Sequence, residues 1–97
     1  AAKAGIAALT KAVAREVAEH GIRINALAPG PIDTPLWRRG LTGEALEQRK
    51  TSRSKLVPIG RLGEPEEVAN LALFLLSPAS SYMTGQVVGV NGGELMP

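Results

Sequence analysis

Residues 22–34 read Ile22-Arg23-Ile24-Asn25-Ala26-Leu27-Ala28-Pro29-Gly30-Pro31-Ile32-Asp33-Thr34, a short aliphatic run that stops at a Pro-Gly turn. Ile22 to Ala28 predicts a strand, because alternating apolar side chains suit a pleated surface and Pro29 has no N–H with which to prolong a ladder. The residues before it have a helical period instead. Ala2, Ile6, Leu9, Val13 and Val17 fall within one narrow arc, opposite Lys11, Arg15 and Glu19, so residues 1–19 predict an amphipathic helix. Gly21 is placed to end it, and His20 complements its dipole, with no partner that would make it a ligand or base. A helix joined by so few residues to a strand is half of a parallel β/α repeat. This stretch therefore decides for an α/β fold.

The pattern recurs downstream. Gly60-Arg61-Leu62-Gly63 precedes a second helix, with Pro65 suited to its first turn and Glu64, Glu66 and Glu67 at its positive dipole end. Val68, Leu71, Ala72 and Leu75 form one apolar face, and Ala69, Leu73, Phe74 and Leu76 extend it around the cylinder, so substantial burial is expected. Ser77-Pro78 ends this helix, and Gln86 to Val90 predicts a final strand before Asn91-Gly92-Gly93. Between Pro31 and Pro58 the periodicity is weak. A short helix over Glu44 to Lys50, with Thr42 as its N-cap, is expected inside a variable lid at about residues 35–58.

The order is thus helix, strand, lid, helix, strand. Two strands are too few for a parallel sheet that is covered on both faces. The expectation is that residues 1–97 form the carboxyl-terminal part of one larger doubly wound domain.

Composition excludes several functions. The chain has 97 residues, a net charge of +2 and no cysteine, so it offers neither disulfides nor thiolate metal ligands, and no metal site is expected. The densest basic stretch, Arg49 to Lys55, is too short to make nucleic acid a partner. The longest apolar run, Leu71 to Leu76, is far too short to span a membrane. With three aromatics among 97 residues, aliphatic packing must supply most of the core. A cytoplasmic location fits this composition.

Four pieces in order, Ala1-Ala2-Lys3-Ala4-Gly5, the Ile22–Thr34 stretch, Gly60 to Gln86, and Val87-Val88-Gly89-Val90-Asn91-Gly92-Gly93, resemble the classical short-chain dehydrogenase/reductase family. The resemblance spans nearly the whole chain and is least specific over Leu36 to Val57. It implies a Rossmann-type doubly wound parallel sheet and an oxidoreductase that uses NAD or NADP to interconvert a hydroxyl and a carbonyl on a small organic substrate.

By that resemblance Lys3 matches the lysine of the family's Tyr-x-x-x-Lys signature and is the catalytic candidate. Residues four apart on a helix share a face, and a neighbouring ammonium favours the phenolate of a tyrosine whose ordinary pKa is about 10. The lysine would also hold the nicotinamide ribose hydroxyls. The matching tyrosine would lie two residues before Ala1, and the family's serine, asparagine and glycine-rich turn further upstream, so the 97-residue chain by itself is expected to be inactive. Tyr82 cannot take the tyrosine's place, since Gln86 stands four residues later. A surface lysine at a helix edge is the alternative reading of Lys3.

Pro29 and Gly30 turn the chain at the carboxyl end of a strand, where open α/β sheets bind their ligands. The resemblance implies that Ile32 gives backbone contacts to the nicotinamide carboxamide and that Thr34 gives a side-chain contact to the carboxamide or pyrophosphate. The alternative is an ordinary turn followed by a helix cap. Asn25 is either ligand-facing or a structural hydrogen-bonding residue at the strand end.

Leu36 and Trp37 begin the lid, where Trp37 either walls an apolar substrate site or simply packs. Arg38 and Arg39 would meet an anionic substrate or stay solvated. The small-residue stripe Ala1, Gly5, Ala8 and Ala12 is compatible with close approach of a second subunit, and a dimer or tetramer of the full-length protein is expected. Asn91 departs from the aspartate common before Gly-Gly in the family, which is expected to alter local hydrogen bonding only. The rival to the enzyme is a non-catalytic binding or oligomerisation module derived from the same family.

Overall fold

The computed structural model describes residues 2–96. Its order is helix α1 (Ala2–Val17) with a 3-10 turn (Ala18–His20), strand β1 (Ala26–Pro29), the short helix α2 (Pro35–Arg38), helix α3 (Gly43–Ser54), helix α4 (Pro65–Leu76), a second 3-10 turn (Pro78–Ser80) and strand β2 (Val87–Val90). The two strands are neighbours and parallel, with Ala26 N–H donating to the Gln86 carbonyl at 2.8 Å and Gly30 N–H to the Val90 carbonyl at 3.1 Å. The connection between them carries the other helices, as a parallel pair requires. The chain divides into two compact units, residues 1–28 with 71–88 and residues 29–70 with 89–97.

In the first unit, α1 ends as expected. Gly21 takes a left-handed conformation at φ 71° and its N–H donates to the Ala18 carbonyl, so the last turn is closed without a Cβ penalty. The apolar arc of α1 is covered only in part, with Val13 and Val17 half-buried. Thr10 and Ala14 are buried, whereas Ile6 is 58% and Leu9 64% exposed. The Thr10 hydroxyl reaches back to the Ile6 carbonyl at 2.7 Å, which satisfies a polar group on the buried side. Ala1 of the small-residue stripe lies outside the described residues. A Cβ built on Gly5 meets nothing within 4 Å, so nothing described here packs on that position.

The strand expected from Ile22 begins only at Ala26, because the residues before it pair through side chains. Ile24 N–H donates to Thr84 Oγ1 at 3.1 Å, and Asn25 donates to the Met83 carbonyl at 3.2 Å while accepting from Gln86 N–H at 3.1 Å. Asn25 therefore has a structural role at the strand's start. Arg23 makes the densest set of bonds in this unit. Its Nη1 donates to the Ser80 carbonyl (2.7 Å), Ser80 Oγ (3.0 Å) and the Met83 carbonyl (3.2 Å), and its Nη2 to the carbonyls of Leu75 and Ser77 (both 3.2 Å). The last carbonyls of α4 have no helical partner, and a guanidinium supplies donors for them.

Among the described residues the apolar end of α4 is covered on one side only. Leu75 is buried, but Leu73 (69%), Phe74 (41%) and Leu76 (83%) are exposed. Apolarity around a helix marks sites that need cover, and in the described residues only one side has it.

The second unit holds Pro31, Leu46, Val57 and Leu62 as its buried apolar residues. The segment expected as a mixed lid contains two helices. Thr34 caps α2, its Oγ1 accepting from Trp37 N–H at 3.1 Å, and Arg39 ends it at φ 52°. α3 is longer than the expected Glu44 to Lys50, and Thr42 stands at its N-cap without a side-chain hydrogen bond. Pro65 opens α4 as expected. Glu67 reaches back to Glu64 N–H at 2.9 Å, half of a capping box, and accepts two bonds from Arg61 at 2.7 and 3.0 Å.

Candidate functional site

The loop after β1 is held by a parallel bridge between Ile32 and Gly63. Gly63 N–H donates to the Pro31 carbonyl at 3.0 Å and Asp33 N–H donates to the Gly63 carbonyl at 2.9 Å. Since successive peptide groups of an extended strand point to opposite sides, the N–H and C=O of Ile32 itself face away from Gly63. Among the described residues neither has a hydrogen-bond partner. The Ile32 side chain closes over Gly63 instead: a Cβ built there would stand 2.7 Å from Ile32 Cδ1. The loop thus uses Ile32's side chain for packing and leaves its main-chain donor and acceptor available.

Gly30 is equally constrained. A Cβ at Gly30 would lie 2.7 Å from Asn91 Cβ and 2.8 Å from Asn91 Cα, so only glycine lets the turn approach the end of β2. Asn91 organises that end, accepting from Gly93 N–H at 3.0 Å and donating to the Leu95 carbonyl at 3.2 Å. A cleft of about 260 Å3 is lined by Pro31, Ile32, Arg61 and Glu67 together with Gly89 to Gly93.

Charge surrounds the loop's far end. The Asp33 carboxylate accepts from Arg38 Nε at 2.7 Å and Nη2 at 3.0 Å, and Lys50 Nζ lies 3.3 Å away. The Arg38 hydrogen bond, aided by Lys50 and opposed by desolvation, lowers the Asp33 pKa from 3.8 to about 2. The Arg61 pair, with the Glu64 N–H, likewise holds Glu67 at about 2.

The expected residues fall in both units. Pro29, Gly30, Ile32 and Thr34 come together in one loop of the second unit, whereas Lys3 is an exposed residue of α1 in the first. Leu36 is 87% exposed. Trp37 is half-buried with the Arg49 guanidinium 4.5 Å from its ring centroid, and Arg49 Nε donates to the Trp37 carbonyl at 3.2 Å. That contact covers one face of the indole and spends the arginine locally. Arg38 is paired with Asp33, with part of its side chain still exposed. Sequence reasoning gave Asp33 no role beyond a helix cap, and did not pair it with Arg38, Lys50 or Gly63; the signal was an acidic residue inside the turn and cations further on.

The loop fits the dinucleotide that the family resemblance implies. A carboxamide carries one acceptor oxygen and an amino donor, and Ile32 offers one free donor and one free acceptor. Thr34 Oγ1 accepts from Trp37 N–H, so its own proton remains to be donated outward. Among the described residues no cluster of His, Cys, Asp or Glu could hold a metal, and no helix is long and apolar enough to cross a membrane.

Comparison with known proteins agrees with this architecture. A family profile described as enoyl-(acyl carrier protein) reductase matches residues 1–94. The chain is 47% identical over 93 residues to a 3-oxoacyl-(acyl-carrier-protein) reductase of Thermotoga maritima, covering 96% of this chain and 36% of the relative. Among solved structures, a short chain dehydrogenase family protein from Francisella tularensis superposes with a TM-score of 0.86 at 34% identity, over 95% of this chain and 40% of that one. A 3-oxoacyl-(acyl-carrier protein) reductase from Brucella melitensis gives 0.84 at 44% identity, over 98% and 34%. The chain thus spans about 36% of the length of the curated relatives it matches. Its α/β arrangement is part of a Rossmann-type fold. Since the likeness covers sequence and backbone together over almost every residue, the chain belongs to the short-chain dehydrogenase/reductase family.

Proposed function

We propose that the protein containing this chain is an NAD- or NADP-dependent oxidoreductase that interconverts a carbonyl and a hydroxyl, and that residues 29–34 receive the nicotinamide carboxamide. The observation that carries the reading is the N–H and C=O of Ile32, unpartnered among the described residues and turned away from Gly63 by the bridge on either side of it. Gly30 brings the backbone close without a side chain, and the Thr34 hydroxyl adds a donor at the start of α2. The bound dinucleotide would supply or accept the hydride. Lys3, by its place in the family signature, would bind the ribose hydroxyls and lower the pKa of the signature's tyrosine.

The relatives named as 3-oxoacyl reductases make a 3-oxoacyl thioester the first substrate to assay. The exposed Leu36 and the half-buried Trp37 are proposed to border its path. A dimer or tetramer and a cytoplasmic location belong to the same proposal.

The test uses the native protein with NADH and NADPH offered separately. Oxidation of one of them by a 3-oxoacyl thioester or another ketone is expected. Lys3→Met should lower kcat/KM by about 100-fold or more, the range in which losing proton-transfer assistance falls. If neither dinucleotide binds, or if Lys3→Met keeps full turnover, the reading is wrong.

A further inference from the structure

The Asp33 carboxylate joins three pieces of the second unit. Its main chain is pinned to Gly63 at 2.9 Å, one residue past the Ile32 groups that face outward. Its side chain, 10% exposed, receives Arg38 from the end of α2 through both carboxylate oxygens and Lys50 from the middle of α3 at 3.3 Å. A bidentate guanidinium fixes the carboxylate plane as well as its position, and low exposure limits screening of the pair. Glu47 and Glu64 also act on Arg38, so other anions stand near enough to attract it once Asp33 loses its charge.

We propose that Asp33 is a positioning residue for the dinucleotide: its ion triad with Arg38 and Lys50 holds Ile32 and Thr34 in their receiving conformation and makes that conformation depend on the placement of α3. The inference rests on reading residues 29–34 as the nicotinamide contact. Its distinctive consequence is that Lys50, 17 residues from Asp33 in sequence and on a different element, tunes dinucleotide affinity through Asp33 alone. With the carboxylate replaced by an amide, Arg38 keeps one acceptor and Lys50 loses its counter-charge, so the Ile32–Thr34 stretch loses its tie to α3 while the Gly63 bridge remains.

The experiment is a double-mutant cycle in the native protein, titrating NADPH and NADH separately and following nicotinamide fluorescence. Asp33→Asn is expected to weaken binding by about fivefold and Lys50→Met by about threefold, with the double variant no weaker than Asp33→Asn alone. Lys50→Arg should restore wild-type affinity to within about twofold, which a merely structural role for the lysine's stem would not require. Additive losses, or variants that lose thermal stability with unchanged dissociation constants, overturn the positioning role while leaving the nicotinamide reading intact. A wild-type protein that binds neither dinucleotide overturns both.

Discussion

Gly30→Ala adds a single methyl group to the turn that follows β1, and the structure leaves no room for it. The new Cβ would stand 2.7 Å from Asn91 Cβ and 2.8 Å from Asn91 Cα, distances that real Cβ contacts essentially never show. One of these neighbours is backbone, at the end of β2, and cannot rotate away. Overpacking of this kind costs about 1–3 kcal/mol, and an immovable neighbour places it at the upper end. Losing a glycine also restricts the unfolded chain, which returns roughly 0.4–1 kcal/mol because the Gly30 backbone is not left-handed. The net loss is about 2 kcal/mol, read as a lower melting temperature. Gly63→Ala is the internal control. Its Cβ would also meet an atom at 2.7 Å, but that atom is Ile32 Cδ1, the far end of a flexible side chain. Rotating it costs about 1 kcal/mol, so the net change should lie near zero. Thermal unfolding of the native protein by circular dichroism distinguishes them, and Asn91→Gly on the Gly30→Ala background should recover part of the loss. A Gly30→Ala variant that melts with the wild type, or above Gly63→Ala, would refute the steric argument.

Two further outcomes follow from other contacts. Arg23→Met removes four N–H groups that serve five acceptors, including carbonyls at the end of α4, and should destabilise the native protein by about 3–4 kcal/mol in urea unfolding. Arg23→Lys should recover less than half, because an ammonium cannot span the same acceptors; full recovery would show that charge alone matters there. Asp33 and Glu67 both titrate near 2, below their ordinary 3.8 and 4.5, so the stability they contribute is present above those ordinary values and is lost as pH falls toward 2. The urea midpoint should therefore drop between about pH 4.5 and 2.5, and the Asp33→Asn/Glu67→Gln variant should show a flatter decline. Identical slopes would mean that the two ion pairs form in the unfolded chain as well.

Much of the architecture was legible in the residues themselves. Gly21 at the end of α1 and Pro65 at the start of α4 are local signals and lie where local chemistry places them, while the strand runs on through Pro29 before the chain turns. The lid's helices were less legible: α3 carries charged residues around most of its surface and a single buried side chain, Leu46, so it has no clear apolar stripe. Ile6 and Leu9 lie on the apolar arc of α1. Their period is helical and apolar, yet they stay exposed while Thr10 and Ala14 are buried, because periodicity reveals that a face needs cover but not which face receives it. Of the candidate site, the Pro29–Thr34 turn was visible as a motif, whereas the bridge to Gly63 that frees Ile32's main chain was not.

The sequence by itself determined the order of the flanking helices and strands, the α/β class and the family, since these depend on local propensities and on motifs in a fixed succession. Only the tertiary structure decided which groups are already engaged. It gave Asp33 to Arg38 and Lys50, Arg23 to carbonyls 52 to 60 residues away, and Gly30 to Asn91. Such pairings depend on where the strand pair and helix ends bring the chain back to itself, and hydrogen bonds and charges act over a few ångströms of space whatever the separation along the sequence.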